Sequence, residues 1–207
     1  MLVKEKYFLI KLIMIKFFSF LFILSFLKLS FVFADPLMNL TEKTWNDINS
    51  MTGQFKQTDN DGNVQFGNFY LKKPHRSLFE YKEQEEKILT TKFFLHIINQ
   101  KHFIIDSYPI GNNPIKYLLL ENLSLRSHFD LISHESDSYF ILNLSEKGAV
   151  NNGEKATLYF DRETLDLRKW EIINEYGEKT SLEFTNIVKN ISISADKFVI
   201  HYNNTNE

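Results

Sequence analysis

The stretch Gln54–Tyr81, QFKQTDNDGNVQFGNFYLKKPHRSLFEY, decides the fold of this chain. Its middle carries Asp61-Gly62, a strong short-range signal for a hairpin turn. Val64 to Leu71 then follows a period of two, which predicts a strand. Gly67 lies within it and predicts either a β-bulge or a close approach of another group to the backbone. Because Leu78–Tyr81 predicts a returning strand, the stretch favours an antiparallel sheet of consecutive hairpins.

A helix is predicted immediately before this stretch. Its apolar residues recur at intervals of mostly three to five positions, which suits one face of an amphipathic helix. Asn39 and Glu42 resemble a capping pair near its start, and Gly53 predicts its end near Phe55. The apolar residues are Leu37, Leu40, Trp45, Ile48, Met51 and Phe55. A second helix, short and apolar, is predicted from Pro114 to Leu120 because a first helical turn tolerates proline.

The rest of the chain predicts strands and turns. Phe93–Ile98 and Phe103–Asp106 flank a polar turn, and Ser107–Asn113 is predicted as a loop because it contains proline and glycine. From Leu123 onward only strands and turns are predicted, and the last strand is Phe198–Tyr202. Turn signals arrive about every 8 to 14 residues, which is typical of a meander that forms a β-sandwich or barrel.

The N-terminus predicts export from the cytoplasm. Four lysines among the first 16 residues precede an apolar run, and Val32-Phe33-Ala34 fits the small-x-small pattern of a cleavage site. Lys28 interrupts the run, which disfavours an uncleaved anchor, since a membrane span needs about 20 apolar residues. We therefore predict a signal peptide over 1–34, cleaved after Ala34, and a single domain over 35–207. Met14 is an alternative start of translation.

The composition of the mature chain excludes several classes of function. Without residues 1–34 it carries 19 Lys and Arg against 25 Asp and Glu, and this negative balance disfavours a nucleic-acid partner. The chain has no cysteine, so its stability depends on its core without disulfides. No catalytic or nucleotide-binding motif occurs, and the cluster of His128, Asp130 and His134 lacks metal-ligand spacing. We predict no catalysis, no cofactor and no metal.

The abundant Phe and Tyr residues suit either an ordinary barrel core or a cavity for a hydrophobic ligand. The order and spacing of a set of motifs decide between the two. The motifs are Phe55-Lys56-Gln57, Gly62, Gly67-x-Phe69-x-Leu71-x-Lys73-Pro74-His75-Arg76, Phe79-Glu80-Tyr81, Tyr108-Pro109, Asn113-Pro114-Ile115, Leu118-Leu119, Leu158-x-Phe160-Asp161, Leu165-x-Leu167 and Tyr176-Gly177-x-x-Thr180-x-x-x-Phe184. Across essentially the whole mature chain they resemble the LolA family, periplasmic carriers of outer-membrane lipoproteins, and this resemblance favours the cavity.

The resemblance implies an incomplete antiparallel β-barrel covered by short helices, which act as a lid over a hydrophobic cavity for acyl chains. It implies a monomer in the periplasm whose partners are acylated lipoproteins, an inner-membrane lipoprotein-releasing ABC transporter and an outer-membrane lipoprotein receptor. The expected cavity lining comprises the lid residues Trp45, Ile48, Met51, Ile115, Leu118 and Leu119 and the wall residues Phe69, Leu71, Phe79, Tyr81, Phe140 and Leu142.

One position departs from the family pattern. In the family an arginine before the proline hydrogen-bonds to the lid and holds it shut, and this chain has Lys73 at that position. Because lysine lacks the planar fork of donors that arginine presents, we expect a weaker latch, with Arg76 as the alternative latching group.

Three alternatives stand beside the carrier. The outer-membrane receptor of the same pathway is itself a lipoprotein, and the missing cysteine argues against it. A periplasmic regulatory domain with the same fold that senses lipid or lipoprotein is the main alternative, although such proteins usually carry a second domain. A periplasmic hydrolase is the least favoured, because no motif supports it.

Overall fold

The computed structural model of the protein describes residues 36–111, 115–148, 155–174 and 176–201. The predicted signal peptide with its cleavage site, Pro114 and Tyr202 lie outside these ranges. Within them, no helix combines the length and apolarity that crossing a bilayer requires.

Most of the described residues lie in β-strands. The strands are β1 (Ser50–Thr58), β2 (Val64–Lys72), β3 (Arg76–Tyr81), β4 (Lys87–Thr90), β5 (Phe94–Ile98), β6 (Ile104–Pro109), β7 (Phe129–Glu135), β8 (Tyr139–Glu146), β9 (Lys155–Asp161), β10 (Leu167–Ile173) and β11 (Lys179–Lys189). The helices are α1 (Pro36–Asn46), α2 (Ile115–Leu118) and α3 (Leu125–His128), and a 3₁₀ turn spans Ala195–Phe198. We call α1 together with residues 115–128 the lid.

The strands form a single antiparallel sheet that stays open. In the described part of the chain its order is β6-β5-β4-β3-β2-β1-β11-β10-β9-β8-β7, so β6 and β7 are the two edges. The long β1 pairs with β2 on one side and with β11 on the other, which joins the N-terminal and C-terminal halves of the sheet. The prediction of a mainly β fold with an incomplete barrel and short covering helices is confirmed.

The inner face of the sheet carries the main core. Phe55, Phe69 and Phe140 are fully buried there, and Trp45 and Leu118 of the lid belong to the same cluster. Edge-to-face contacts order this core, as between Phe55 and Phe79, whose ring centroids lie 5.2 Å apart. The lid is therefore packed onto the sheet through side chains of both.

The outer face of the sheet is also apolar along β3 to β5. Leu78, Leu89 and Ile98 are completely buried there, because the C-terminal segment crosses them with Ile193 and Phe198. We call residues 190–201 the strap. Because neighbouring residues of a strand face opposite sides, the adjacent Leu78 and Phe79 belong to the two different cores.

Polar contacts fix the strap on the outer face. Lys72 Nζ donates to the carbonyl of Ile193 over 3.0 Å, and Lys197 Nζ lies 3.2 Å from Glu80 Oε2. Glu80 also pairs with the buried Lys87 over 3.0 Å. Lys197 stands over the ring of Tyr70, 4.2 Å from its centroid, so the strap carries a cation–π contact as well.

Three sequence predictions about secondary structure are wrong. The first helix ends at Asn46, and Met51 and Phe55 lie on β1. Residues four apart share a face in a strand as they do in a helix, so the spacing that predicted a longer helix also fits a strand. The region after Leu123 contains α3, and Phe198 ends a 3₁₀ turn in place of the predicted closing strand.

The other predictions of strands hold with small changes of length. β2, β3 and the hairpin β5–β6 lie where the sequence placed them, but β6 continues through Pro109 into the predicted loop. β4 is not predicted from the sequence, because its four residues are too few for a visible alternation.

At Gly67 other groups come close to the backbone of β2, and the strand has no bulge there. It lies opposite Phe55 in an unshifted register between β1 and β2. A Cβ atom at this position would stand 2.3 Å from the carbonyl oxygen of Glu80 and 2.4 Å from Cε1 of Phe55. The missing side chain therefore makes room for the ring of Phe55 on the inner face.

We predict that Gly67→Ala destabilises the fold. The added Cβ overlaps the backbone of β3, which cannot move without disturbing the sheet, so the free energy of unfolding should fall by about 1–3 kcal/mol. Val64→Ala is the control, because Val64 lies on the same strand with 46% of its surface exposed, and a change within about 0.5 kcal/mol is expected. Equal losses for the two variants in urea unfolding would contradict the argument from close approach.

Candidate functional site

A cavity with an apolar wall opens beside the hairpin turn between β1 and β2. Its volume is about 490 Å³, within the range of about 300–1,000 Å³ that is usual for ligand sites. One wall is apolar and the opposite rim is polar. The wall consists of Phe79, Tyr81, Ile88, Leu95, Ile115, Trp170, Ile172 and Leu182, and the remaining lining residues are Gln57, Asp59, Asn60, Asp61, Thr90, Asn174, Glu178 and Thr180.

The polar rim is acidic. Asp59, Asp61 and Glu178 line it, and the cavity lining includes no lysine or arginine among the described residues. Hydrogen bonds from Asn63 hold the pKa of the Asp59 carboxyl below its usual range, so this group is an anion at neutral pH. Burial raises the pKa of Tyr81 to about 12, and its neutral hydroxyl donates to Gln57 Oε1 over 2.8 Å.

A second, much smaller void lies deeper, between the lid and the sheet. Its volume is about 20 Å³, so side chains fill almost all of this space. Phe79, Ile115 and Trp170 line both the void and the open cavity. These three residues therefore separate the cavity from the space under the lid, and any movement of α2 away from the sheet would connect the two.

Hydrogen bonds to main-chain atoms hold the two parts of the lid together. Trp45 Nε1 donates to the carbonyl of Leu118 over 3.1 Å. The side chain of Asn46 both donates to the carbonyl of Leu123 and accepts from its N–H, over 2.9 and 2.8 Å. Glu42 accepts from the N–H of Leu125 over 2.7 Å, close to the start of α3. Because α1 supplies all of these side chains, it holds residues 118–125 in place.

The turn between β2 and β3 contacts both parts of the lid. Lys73 Nζ donates to the carbonyl of Trp45 over 2.6 Å and lies 5.2 Å from the centre of the Trp45 ring. The N–H of His75 donates to the carbonyl of Leu119 over 2.8 Å. A cation near the C-terminus of a helix interacts favourably with the helix dipole, and Lys73 occupies that place at the end of α1.

The surroundings of the Lys73 ammonium offset only part of the cost of its burial. Burial lowers the pKa of Lys73 to about 8, and the carboxylate of Asp47 opposes this shift without cancelling it. Arg76, the alternative latching group, is exposed, and no hydrogen bond or ion pair of its side chain occurs among the described residues. The residue in contact with the lid is thus Lys73.

Side chains of α2 bind to β8, in the C-terminal half of the sheet. Tyr117 donates its hydroxyl to Glu146 at the end of β8, and Lys116 Nζ lies 3.4 Å from the same carboxylate. Burial and the hydrogen bond to Glu146 raise the pKa of Tyr117. The Tyr117 ring also packs edge-on against Phe129, with centroids 4.8 Å apart.

The residues predicted to line a cavity fall into three groups. The void under the lid is lined by Trp45, Met51, Phe69, Leu71, Phe79, Ile115 and Leu118. The open cavity is lined by Phe79, Tyr81 and Ile115. Ile48, Leu119, Phe140 and Leu142 line neither space and are buried in the core. Met51 belongs to β1, so its prediction as a lid residue is wrong.

Much of the wall of the open cavity is not predicted from the sequence. Ile88 lies on the unpredicted β4, and Leu95 lies on the neighbouring β5, where it pairs with Thr90. Trp170 and Ile172 lie on β10, where the register shifts between Leu167 and Lys169. This bulge places Leu167 and Trp170 in the same core despite their odd separation. A sequence signal exists for the strand, but strict alternation from Leu167 assigns Trp170 to the wrong face.

An open antiparallel sheet, a helical lid and an apolar cavity define a class of binding architecture suited to a hydrophobic ligand. A family model described as outer membrane lipoprotein carrier protein LolA matches residues 46–201, and the chain belongs to this family. No curated protein matches the chain.

The solved structures that resemble this one have low sequence identity to the chain. The MucA/MucB complex of Pseudomonas aeruginosa matches with 14% identity and a TM-score of 0.47, over 80% of this chain and 60% of that one. The chain thus spans less than two thirds of the MucB chain it matches. A putative outer membrane lipoprotein-sorting protein domain from Vibrio parahaemolyticus matches with 9% identity and a TM-score of 0.47, over 78% and 94% of the two chains. A LolA superfamily protein from Nitrosomonas europaea matches with 10% identity and a TM-score of 0.41, over 78% and 96%.

We predict that the contribution of Lys73 to the free energy of unfolding changes with pH in the alkaline range. Its pKa is about 8 in the folded protein and near the ordinary 10.5 when unfolded. Between these values the unfolded state binds more protons, so the free energy of unfolding should rise with pH, relative to Lys73→Met. Below pH 8 the lysine is charged in both states, and the difference between the proteins should be constant. Urea unfolding of both proteins at pH 7, 8, 9 and 10 measures this, and a difference that stays constant up to pH 10 would show that Lys73 is well solvated.

Proposed function

We propose that the protein is a periplasmic carrier that binds the acyl chains of lipoproteins released from the inner membrane and delivers them to the outer membrane. The observation that carries the proposal is the apolar cavity of about 490 Å³ beside a helical lid, in a chain that belongs to the LolA family. The protein would act by binding and transfer, without catalysis.

The energetics of acyl chains support a carrier of this kind. Each buried CH₂ group contributes about 0.8 kcal/mol, so two or three long chains would cost tens of kcal/mol in water. Non-covalent affinity saturates at roughly −20 kcal/mol, which means that a protein cavity cannot fully replace a membrane. Transfer directly from one cavity to another avoids exposing the chains to water, so a carrier needs an opening through which both partners can reach the ligand.

Binding of a long chain requires movement of the lid. The void under the lid has a volume of only about 20 Å³, and the open cavity ends at Phe79, Ile115 and Trp170. A chain that continues past these residues must separate α2 from the sheet. Lys73 donates to the carbonyl of Trp45 at the end of α1, so this hydrogen bond would have to break if α1 moved together with α2.

The wider role follows from the family and from the sequence. We propose that residues 1–34 are a cleaved signal peptide and that the mature monomer works in the periplasm. Its partners would be an inner-membrane ABC transporter that releases lipoproteins and an outer-membrane receptor that accepts them.

A release assay tests the carrier function. Spheroplasts that synthesise labelled lipoproteins are incubated with the protein purified from the periplasm. A soluble one-to-one complex of carrier and lipoprotein is expected in the supernatant. If lipoproteins stay on the spheroplasts, the carrier function is wrong. Binding of isolated lipoprotein without any release would instead favour a regulatory domain that senses lipoproteins.

A pair of matched substitutions tests whether the open cavity is the binding site. Ile88→Glu places a charge in the apolar wall, and we predict a loss of release of about tenfold or more, because an acyl chain cannot compensate a buried carboxylate. Ile132→Glu is the control, since Ile132 lies on the edge strand β7 with 63% of its surface exposed. Both variants are first compared with the parent by circular dichroism and thermal unfolding. Equal release by the two folded variants would place the acyl chains elsewhere.

A further inference from the structure

Four buried side-chain atoms of the described residues lack a hydrogen-bond partner. They are Ser77 Oγ, Thr90 Oγ1, Trp170 Nε1 and Ser181 Oγ. Buried polar atoms in folded proteins nearly always have partners, so each exception calls for an explanation. The first three belong to residues that line the open cavity or the void under the lid, whereas Ser181 lines neither.

The three unpartnered groups lie on facing parts of the inner face. Ser77 and Thr90 pair directly across β3 and β4, so their hydroxyls extend from the same side of the sheet. Trp170 lies on β10 and lines the void together with Ser77 and the cavity together with Thr90. Their exposed fractions are 2% for Ser77, 0% for Thr90 and 3% for Trp170. The hydroxyls on β3 and β4 and the indole N–H on β10 therefore border the space proposed for the acyl chain from two sides.

We propose that Ser77, Thr90 and Trp170 bind the ester carbonyl oxygens of an acylated ligand. A hydrocarbon chain offers no hydrogen-bond acceptor, so it would leave these groups as they are. The indole N–H can only donate, and both hydroxyls can donate. An ester carbonyl can only accept, and each ester-linked acyl chain carries one at its head. This inference rests on the proposed function and adds to it the part of the ligand that is recognised.

Water is the competing occupant of this region. A void of about 20 Å³ can hold one water molecule, but a buried water usually makes about three hydrogen bonds. Trp45 also lines the void, but its Nε1 already donates to the carbonyl of Leu118. A carbonyl oxygen needs only one or two donors, so the lining suits it better than it suits a water.

The charge of the rim distinguishes two sources of acyl esters. Lipoproteins and phospholipids both carry ester-linked chains. Asp59, Asp61 and Glu178 line the mouth of the cavity without a lysine or arginine among the described lining residues. This rim repels the phosphate of an anionic phospholipid and does not repel the peptide of a lipoprotein. We therefore assign the esters to a lipoprotein.

The test compares ester and ether lipids of the same chain length. Dipalmitoylglycerol and its dihexadecyl ether analogue displace a fluorescent fatty acid from the protein purified from the periplasm. The parent should bind the ester about threefold to tenfold more tightly, as expected for one or two neutral hydrogen bonds. Trp170→Phe should lose this preference by weakening the ester and leaving the ether unchanged.

A matched pair of serine variants controls for the loss of a hydroxyl. Ser77→Ala should reduce the preference for the ester, and Ser181→Ala should keep it, because Ser181 lines neither space. Trp170→Phe should lose some stability, because a smaller ring replaces a buried indole in the core, and urea unfolding measures that loss separately from binding. This measurement separates loss of recognition from loss of fold.

The outcomes separate the inference from the proposed function. Equal affinity of the parent for ester and ether overturns the inference and leaves the carrier function standing. Failure to bind either lipid overturns both. A third arm compares a diacylated lipopeptide with phosphatidylglycerol of the same chains, and tighter binding of phosphatidylglycerol would overturn the assignment to a lipoprotein.

Discussion

The inner face of the sheet must be covered by something other than the sheet. An open sheet does not close around its own core, so α1 and residues 115–128 complete the burial of Phe69, Phe140 and their neighbours. Short helices contribute little stability of their own, and these depend on packing and on hydrogen bonds to their backbone. Those bonds come from Trp45 and Asn46 at the C-terminal end of α1 and from Lys73 in the turn between β2 and β3.

The strap buries the apolar side chains on the outer face of the sheet. Leu78 and Phe79 are adjacent on β3, and both are buried because one lies under the strap and the other beneath the lid. Burial from both sides fixes β3 and its neighbours more firmly than the inner face could alone. The wall of the cavity near Ile88 therefore belongs to strands that are packed on both faces.

The sequence predicted the features that depend on local chemistry. The turn at Asp61-Gly62 and the need for glycine at position 67 follow from backbone geometry, and the structure contains both. The length of α1 could not be predicted, because Met51 is buried equally well by a helix or by a strand. The position of Trp170 depends on a bulge in β10, and a bulge leaves no mark on the alternation until the partner strand is known.

Two kinds of incompletely compensated polar groups surround the space under the lid. The ammonium of Lys73 is desolvated at α1, and the N–H of Trp170 has no partner on the sheet. Both raise the free energy of the closed protein relative to a fully apolar arrangement of the same shape. Opening would return Lys73 to water, whereas an acyl ester would give Trp170 an acceptor. A ligand shifts an equilibrium only by its differential affinity for the two states. A cavity lined only by hydrocarbon would gain that difference from burial of the acyl chain alone. With the proposed ligand, hydrogen bonds to groups that have no partner in the closed protein would add to it.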